Sequence, residues 1–163
     1  MTPRNPIARA DLIVESVRWY GAISDLDRLV QRTYQMVRRF GGINVNQQTA
    51  PSLLFSDDQH VKKLNFQFRG KNKPTNVLTF EPLGPQHGGD IVLAYETMKR
   101  EADKAQRPLR AHVTHLLIHG LLHLAGHDHL HPGEARRMET LETYIMRRMG
   151  FPDPWKTGAK PHA

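Results

Sequence analysis

Cysteine is absent from the 163 residues. That excludes a disulfide framework and any zinc site built on thiolates, the donors that structural zinc centres most often use. No apolar run approaches the roughly 20 residues that a membrane-crossing helix needs. The longest candidate, Val113 to Ala125, is short and interrupted by histidines. The opening MTPRNPIARADLIV holds no sustained apolar segment of the kind a signal peptide carries, so a cytoplasmic location is expected. Acidic residues are in deficit, 16 Asp and Glu against 23 Lys and Arg, for a formal charge of +7 and a pI near 10.0. Such a balance favours an anionic partner, nucleic acid or a membrane surface.

There is no internal repeat and no sign of a second core. A hydrophobic content of 39% and a charged content of 24% are ordinary for a globular chain of this length. One domain over residues 1–155 is expected, with a flexible tail over 156–163. Apolar and β-branched residues in DLIVESVRWY predict a first strand over residues 11–20. Ser24 or Asp25 can cap a following helix carrying Leu26, Leu29, Val30, Val37 and Phe40, which Gly41 and Gly42 end. Ser52 to Phe55 reads as a buried strand, and Ser56 or Asp57 caps a helix with Val61, Leu64 and Phe68. Val77 to Phe80 and Asp90 to Ala94 read as strands around a Pro- and Gly-rich loop. Tyr95 to Gln106 reads as a charged helix, Leu109 to Ala125 as an apolar one, and Pro132 opens a last helix with Ala135, Met138, Leu141 and Ile145 inward. The fold class expected is α+β (α/β-like): a small mixed sheet packed with about five helices, with a metal site on the central histidine-bearing helix.

That helix ends in His119 to His129, HGLLHLAGHDH. His119 and His123 stand four residues apart, so on a helix both imidazoles leave one face, one turn apart, and can share a metal. Gly126 can adopt the left-handed conformation that ends a helix, letting the chain turn back and offer His129 as a third nitrogen. Three histidines with an open fourth position describe a catalytic rather than a structural zinc site. His115 lies on the same face and competes for His119. His115 and His123 are about 12 Å apart along the axis, too far to share an ion through bonds of about 2 Å. The pair nearer the Gly126 turn is the one His129 can join. His127, His131 and Asp128 are near enough in sequence to substitute, although Asp128 reads better as an acceptor orienting a ligating imidazole.

The stretch LNFQFRGKNKPTNVLTF, Leu64 to Phe80, joins a helix end, a basic loop and a strand. Gly70 and Pro74 break the helix, and Arg69, Lys71 and Lys73 gather positive charge there. Standing alone, such a segment is most simply a solvated turn. An arginine held at a helix end beside a rigid loop can also present its planar fork to phosphate.

These motifs, with GDIV at Gly89 to Val92 and EARRMETLE at Glu134 to Glu142, resemble the YbeY family of bacterial zinc-dependent endoribonucleases over about Leu53 to Ile145. Within the family the residue between Gly126 and Asp128 is usually tyrosine and here is His127; Glu81 between Phe80 and Pro82 is a second departure. The resemblance implies a single-strand-specific, metal-dependent endoribonuclease in ribosomal RNA processing, at the 16S 3′ end, and in ribosome quality control. It implies His119, His123 and His129 as ligands of one Zn(2+) per chain, Arg69 as the catalytic arginine, and single-stranded RNA, ribosomal RNA or ribosome-associated proteins as partners, with no membrane expected. Lys71 and Lys73 are expected to bind substrate. Imidazole also suits nickel and other divalent transition metals.

Two rival readings have distinct signatures. A zinc metallopeptidase-like hydrolase shares the HxxxHxxGxxH spacing, but such enzymes carry glutamate directly after the first histidine as general base. Here that residue is Gly120. Phosphodiester hydrolysis at a metal needs less help from protein bases, and cationic side chains can stabilise the transition state. A non-catalytic ribosome-assembly RNA-binding module would instead close the metal's fourth position and unfold on chelation.

Overall fold

The structure, a computed structural model, describes residues 9–42, 49–84, 86–127 and 131–157. Strand β1 (Asp11–Val14) is followed by α1 (Arg18–Ala22) and α2 (Leu26–Phe40), β2 (Ser52–Ser56), α3 (Asp58–Arg69), β3 (Val77–Phe80) and β4 (Asp90–Ala94). Then come α4 (Tyr95–Lys104), α5 (Leu109–Leu124), α6 (Pro132–Arg148) and a 3-10 turn, Pro154–Thr157. The sheet runs β1-β2-β4-β3, with β1, β2 and β4 parallel and β3 antiparallel to β4 at one edge. This is the expected small mixed sheet in an α+β arrangement, with six α-helices rather than about five among the described residues.

The additional helix is α1. The expected strand over residues 11–20 ends at Val14, because β2, its partner, runs out at Ser56 where Asp57 starts α3. Beyond that point no ladder remains, and the chain curls so that Trp19 enters the core and donates from Nε1 to the Ser56 carbonyl, 3.0 Å away. Asp57 caps α3 by accepting from the His60 amide at 2.8 Å. Asp25 stands at the N-cap of α2 but makes no side-chain cap bond; its carboxylate pairs with Arg110 of α5 instead.

Side chains alternate across the sheet with the period of two that a pleated strand imposes. Leu53, Phe55, Val77, Ile91 and Leu93 face the large core shared with α2, α5 and α6. Leu78, Val92 and Ala94 face the other way, onto Val61 of α3. Helix α5 runs through the large core and is buried from Ala111 to Leu122. It has no wide polar face, as expected of a helix covered all round. No helix among the described residues is long and apolar enough to cross a membrane.

Candidate active site

A buried helix rich in histidine must give each ring a partner, because a polar group taken out of water without one costs on the order of 1–3 kcal/mol. In α5 the partners are carboxylates from the neighbouring helices. His112 Nε2 lies 3.2 Å from Glu101 of α4. His115 Nε2 lies 3.1 Å from Glu142 Oε2, and His119 Nδ1 lies 2.6 Å from Glu142 Oε1. Glu142 is 1% exposed, on the same stripe of α6 as Met138 and Ile145. Burial pushes its carboxyl up, but hydrogen bonds and charge from His115 and His119 prevail and hold it below the ordinary carboxylate range. For His115 burial wins, and its imidazole is held below the usual value despite Glu142.

An ionised carboxylate only accepts, so His119 donates to it through Nδ1, which fixes the tautomer whose Nε2 carries a lone pair. The rings of His119 and His123 meet edge to face with centroids 4.8 Å apart, and the Nε2 atoms of both are buried. His115 is otherwise occupied. One nitrogen is on Glu142, and its ring packs edge-on against Trp155 at 5.2 Å. His115 and His119 thus share one carboxylate, while His123 meets the ring of His119.

Past His123 the helix ends as its glycine suggested. Gly126 has φ +98°, its amide bonds the His123 carbonyl, and the His127 amide bonds the Leu122 carbonyl, both at 3.0 Å. This closes the last turn in a Schellman arrangement. His127 then donates from Nε2 to the Gly41 carbonyl at 2.7 Å, tying the turn to the end of α2. That bond gives His127 a structural partner at the end of α2. His131 stands at the N-cap of α6. His129 and Asp128 lie outside the described residues, and among those described no group of three His, Asp or Glu side chains forms a metal-binding cluster. The donor set present does suit a metal: two neighbouring imidazoles, one with its second nitrogen on a buried carboxylate, the arrangement that orients ligating histidine in metal sites.

Gly120, beside His119, faces the sheet. A Cβ there would sit 3.0 Å from Ile91 Cδ1 and 3.4 Å from Thr79 Oγ1. The position that holds glutamate in zinc peptidases is therefore closely packed against β4 and β3, so a side chain there would have to displace Ile91. The residue type, glycine, leaves the peptidase reading without its general base.

Arg69 ends α3, where Gly70 takes φ +68° and closes the helix. Its guanidinium donates to the Thr79 carbonyl at 2.9 Å and lies 5.9 Å from the centre of the Phe80 ring. It thus covers the outer edge of β3, the strand whose Thr79 side chain faces Gly120. Lys71 and Lys73 are exposed on the loop that follows. The loop backbone is pinned, with Asn65 donating to the Lys73 carbonyl at 2.8 Å and accepting from the Lys71 amide through its own carbonyl. Asn76, buried at the base of β3, reaches Glu101 of α4 at 3.1 Å.

Glu142, which bonds both His115 and His119, is not singled out by the sequence motifs, where only Asp128 reads as an acceptor for an imidazole. The signal was present: an acidic residue four after Met138 and three before Ile145 falls on an apolar stripe, where an unpaired carboxylate is not tolerated.

Taken together, a single mixed sheet, a buried helix with two paired imidazoles and a basic loop at the adjoining strand edge define a compact α+β protein with a polar site at one end of its central helix. The profile of the family described as endoribonuclease YbeY matches residues 18–150. A Gluconobacter oxydans protein named endoribonuclease YbeY is 55% identical over 158 residues, covering 97% of this chain and 94% of its own. One of the same name from a Bradyrhizobium strain is 37% identical over 163 residues, covering 94% and 95%. A solution structure from Thermotoga maritima shares the fold, with a TM-score of 0.58 at 19% identity over 90% of this chain and 98% of that one. The chain belongs to the endoribonuclease YbeY family.

Proposed function

We propose that this chain is a metal-dependent endoribonuclease that hydrolyses single-stranded RNA and acts in ribosomal RNA maturation, with the whole activity in residues 1–155. The observation that carries the reading is the pair His119 and His123, one turn apart at the end of a buried helix with His119 held by the Glu142 carboxylate, in a chain of this family. His119, His123 and His129 would hold the ion through imidazole nitrogen, and zinc is the metal proposed, since three histidines with an open position are a common catalytic zinc set. A divalent ion there supplies Lewis acidity to a phosphoryl oxygen and acidifies water. The rest belongs to the chain. Glu142 keeps His119 in its tautomer and orientation. Arg69, braced on the Thr79 carbonyl, offers its remaining donors to a phosphate at the β3 edge, where a fixed fork needs no reorganisation. Lys71 and Lys73 add positive charge that draws the backbone of the strand.

The test incubates metal-loaded protein, chelated protein and His123→Ala with a single-stranded RNA, a duplex RNA and an unfolded peptide. Cleavage of the single strand alone, by the loaded wild type alone, is expected. Peptide cleavage without RNA cleavage would contradict the proposal.

A further inference from the structure

The outer surface of α3 carries two phenylalanines in the open: Phe66 is 59% exposed and Phe68 60% exposed. Both rings are open to an occupant. They are placed differently. Phe68 meets Phe80 edge to face, centroids 5.4 Å apart, beneath the Arg69 guanidinium. Phe66 has no ring contact among the described residues. On the helix its surface neighbours are Lys62 four residues before, Lys63 three before and Arg69 three after, all exposed. An aromatic ring with lysines one turn before it and an arginine one turn after it, on the helix that leads into the basic loop, does not match an apolar protein partner, whose interface core is depleted of lysine. It matches a single nucleic-acid strand, whose bases stack on aromatic rings while cations follow its phosphates.

We infer that Phe66, with Lys62, Lys63 and Arg69 around it, is a base-stacking platform that binds the RNA strand as it leaves the scissile position and passes over the β3 edge onto α3. This rests on the reading of the site as an endoribonuclease and extends it to how substrate is held. Stacking is indifferent to base identity but requires an unpaired base, so the platform contributes to preference for single strands.

Steady-state cleavage of a short single-stranded oligoribonucleotide by the full-length, metal-loaded protein tests it, comparing wild type, Phe66→Ala and Phe66→Trp, with melting temperature recorded for each. Phe66→Ala should raise KM about 10-fold, the loss of one base stack, with kcat within about two-fold and an unchanged melting temperature. Phe66→Trp should keep the wild-type KM. An otherwise identical strand lacking the bases flanking the cleavage position should be cut with the same raised KM by wild type and Phe66→Ala. Equal KM values for wild type and Phe66→Ala on the intact strand would overturn the platform while leaving the nuclease reading in place. A wild type that neither binds nor cuts the strand would overturn both.

Discussion

His119 Nδ1 and Glu142 Oε1 are 2.6 Å apart inside the core, where α6 brings a carboxylate back onto the helix that carries the site. The same carboxylate holds His115 one turn earlier. Glu142→Gln keeps the shape but removes the charge and sets an amide between two buried rings. Metal affinity should fall about 10- to 100-fold, the usual cost of losing an outer-shell partner, while the protein still folds. Glu142→Ala should in addition lower the melting temperature, since it strands two imidazoles. Metal titration by competition with a chromophoric chelator reads the first effect and calorimetry the second. Unchanged affinity in Glu142→Gln would show that the carboxylate does not serve the site.

His115 makes stability depend on acidity. Its folded value is depressed by burial, against the opposing influence of Glu142 and with Arg107 and His119 adding to the depression. As pH falls below the ordinary histidine value of about 6.5, the unfolded chain takes up a proton that the folded chain refuses, and stability drops. The depressed Glu142 acts with the same sign at lower pH, because the unfolded carboxyl protonates first. In chelated protein the melting temperature should therefore fall steadily from pH 7 to pH 5. His115→Gln should flatten the upper part of that slope. A melting temperature that rises on acidification would contradict the assignment of a neutral His115.

Gly120 separates two explanations for the missing peptidase glutamate. If the residue were merely absent, Gly120→Glu would fit and confer some peptide hydrolysis. With Ile91 and Thr79 within 3.0 to 3.4 Å of its Cβ position, the substitution should instead destabilise the domain and lower RNA cleavage, with no peptide hydrolysis gained. Gly120→Ala, which needs Ile91 to give by only a few tenths of an ångström, should cost much less. Melting curves of the two variants decide it.

Arg69 has a place in the fold as well as a proposed place in catalysis, through its bond to the Thr79 carbonyl. Because that bond is exposed, removing it should lower stability by no more than about 1 kcal/mol. Arg69→Ala should melt within a few degrees of wild type, keep its metal and lose about 100-fold or more in kcat. Arg69→Lys should recover little, since an ammonium cannot bridge a carbonyl and a phosphate with the same planar fork. Full activity in Arg69→Ala would leave the residue as an edge cover only.

Much of this was readable in the residues because the governing signals are local. Apolar periodicity marks α2 and α3, a largely apolar run marks α5, Gly70 and Gly126 mark the ends of α3 and α5, and short apolar runs, β-branched in β3 and β4, mark β2, β3 and β4. The strand expected over residues 11–20 is longer than β1 because β1 ends where its partner ends, a limit set by the far end of β2 and by the pull of Trp19 into the core. The pairing of His119 with Glu142 is likewise a contact between residues 23 apart on separate helices. Sequence spacing placed the two imidazoles one turn apart but could not say which carboxylate would reach them. His127 shows the converse. Its chemistry admitted metal binding, and only the approach of Gly41 from the end of α2 reveals that its nitrogen is used to hold the turn.

In the proposed site His119, His123 and His129 hold one metal while His115 and His127 hold the structure around it. Elemental analysis of purified wild type and the five single alanine variants tests this most directly. About one divalent transition metal per chain is predicted for wild type and for His115→Ala. Most of it should be lost in His119→Ala, His123→Ala and His129→Ala, whereas His127→Ala should bind metal but melt earlier. Full metal content in the three ligand variants, or its loss only in His115→Ala, would contradict the account.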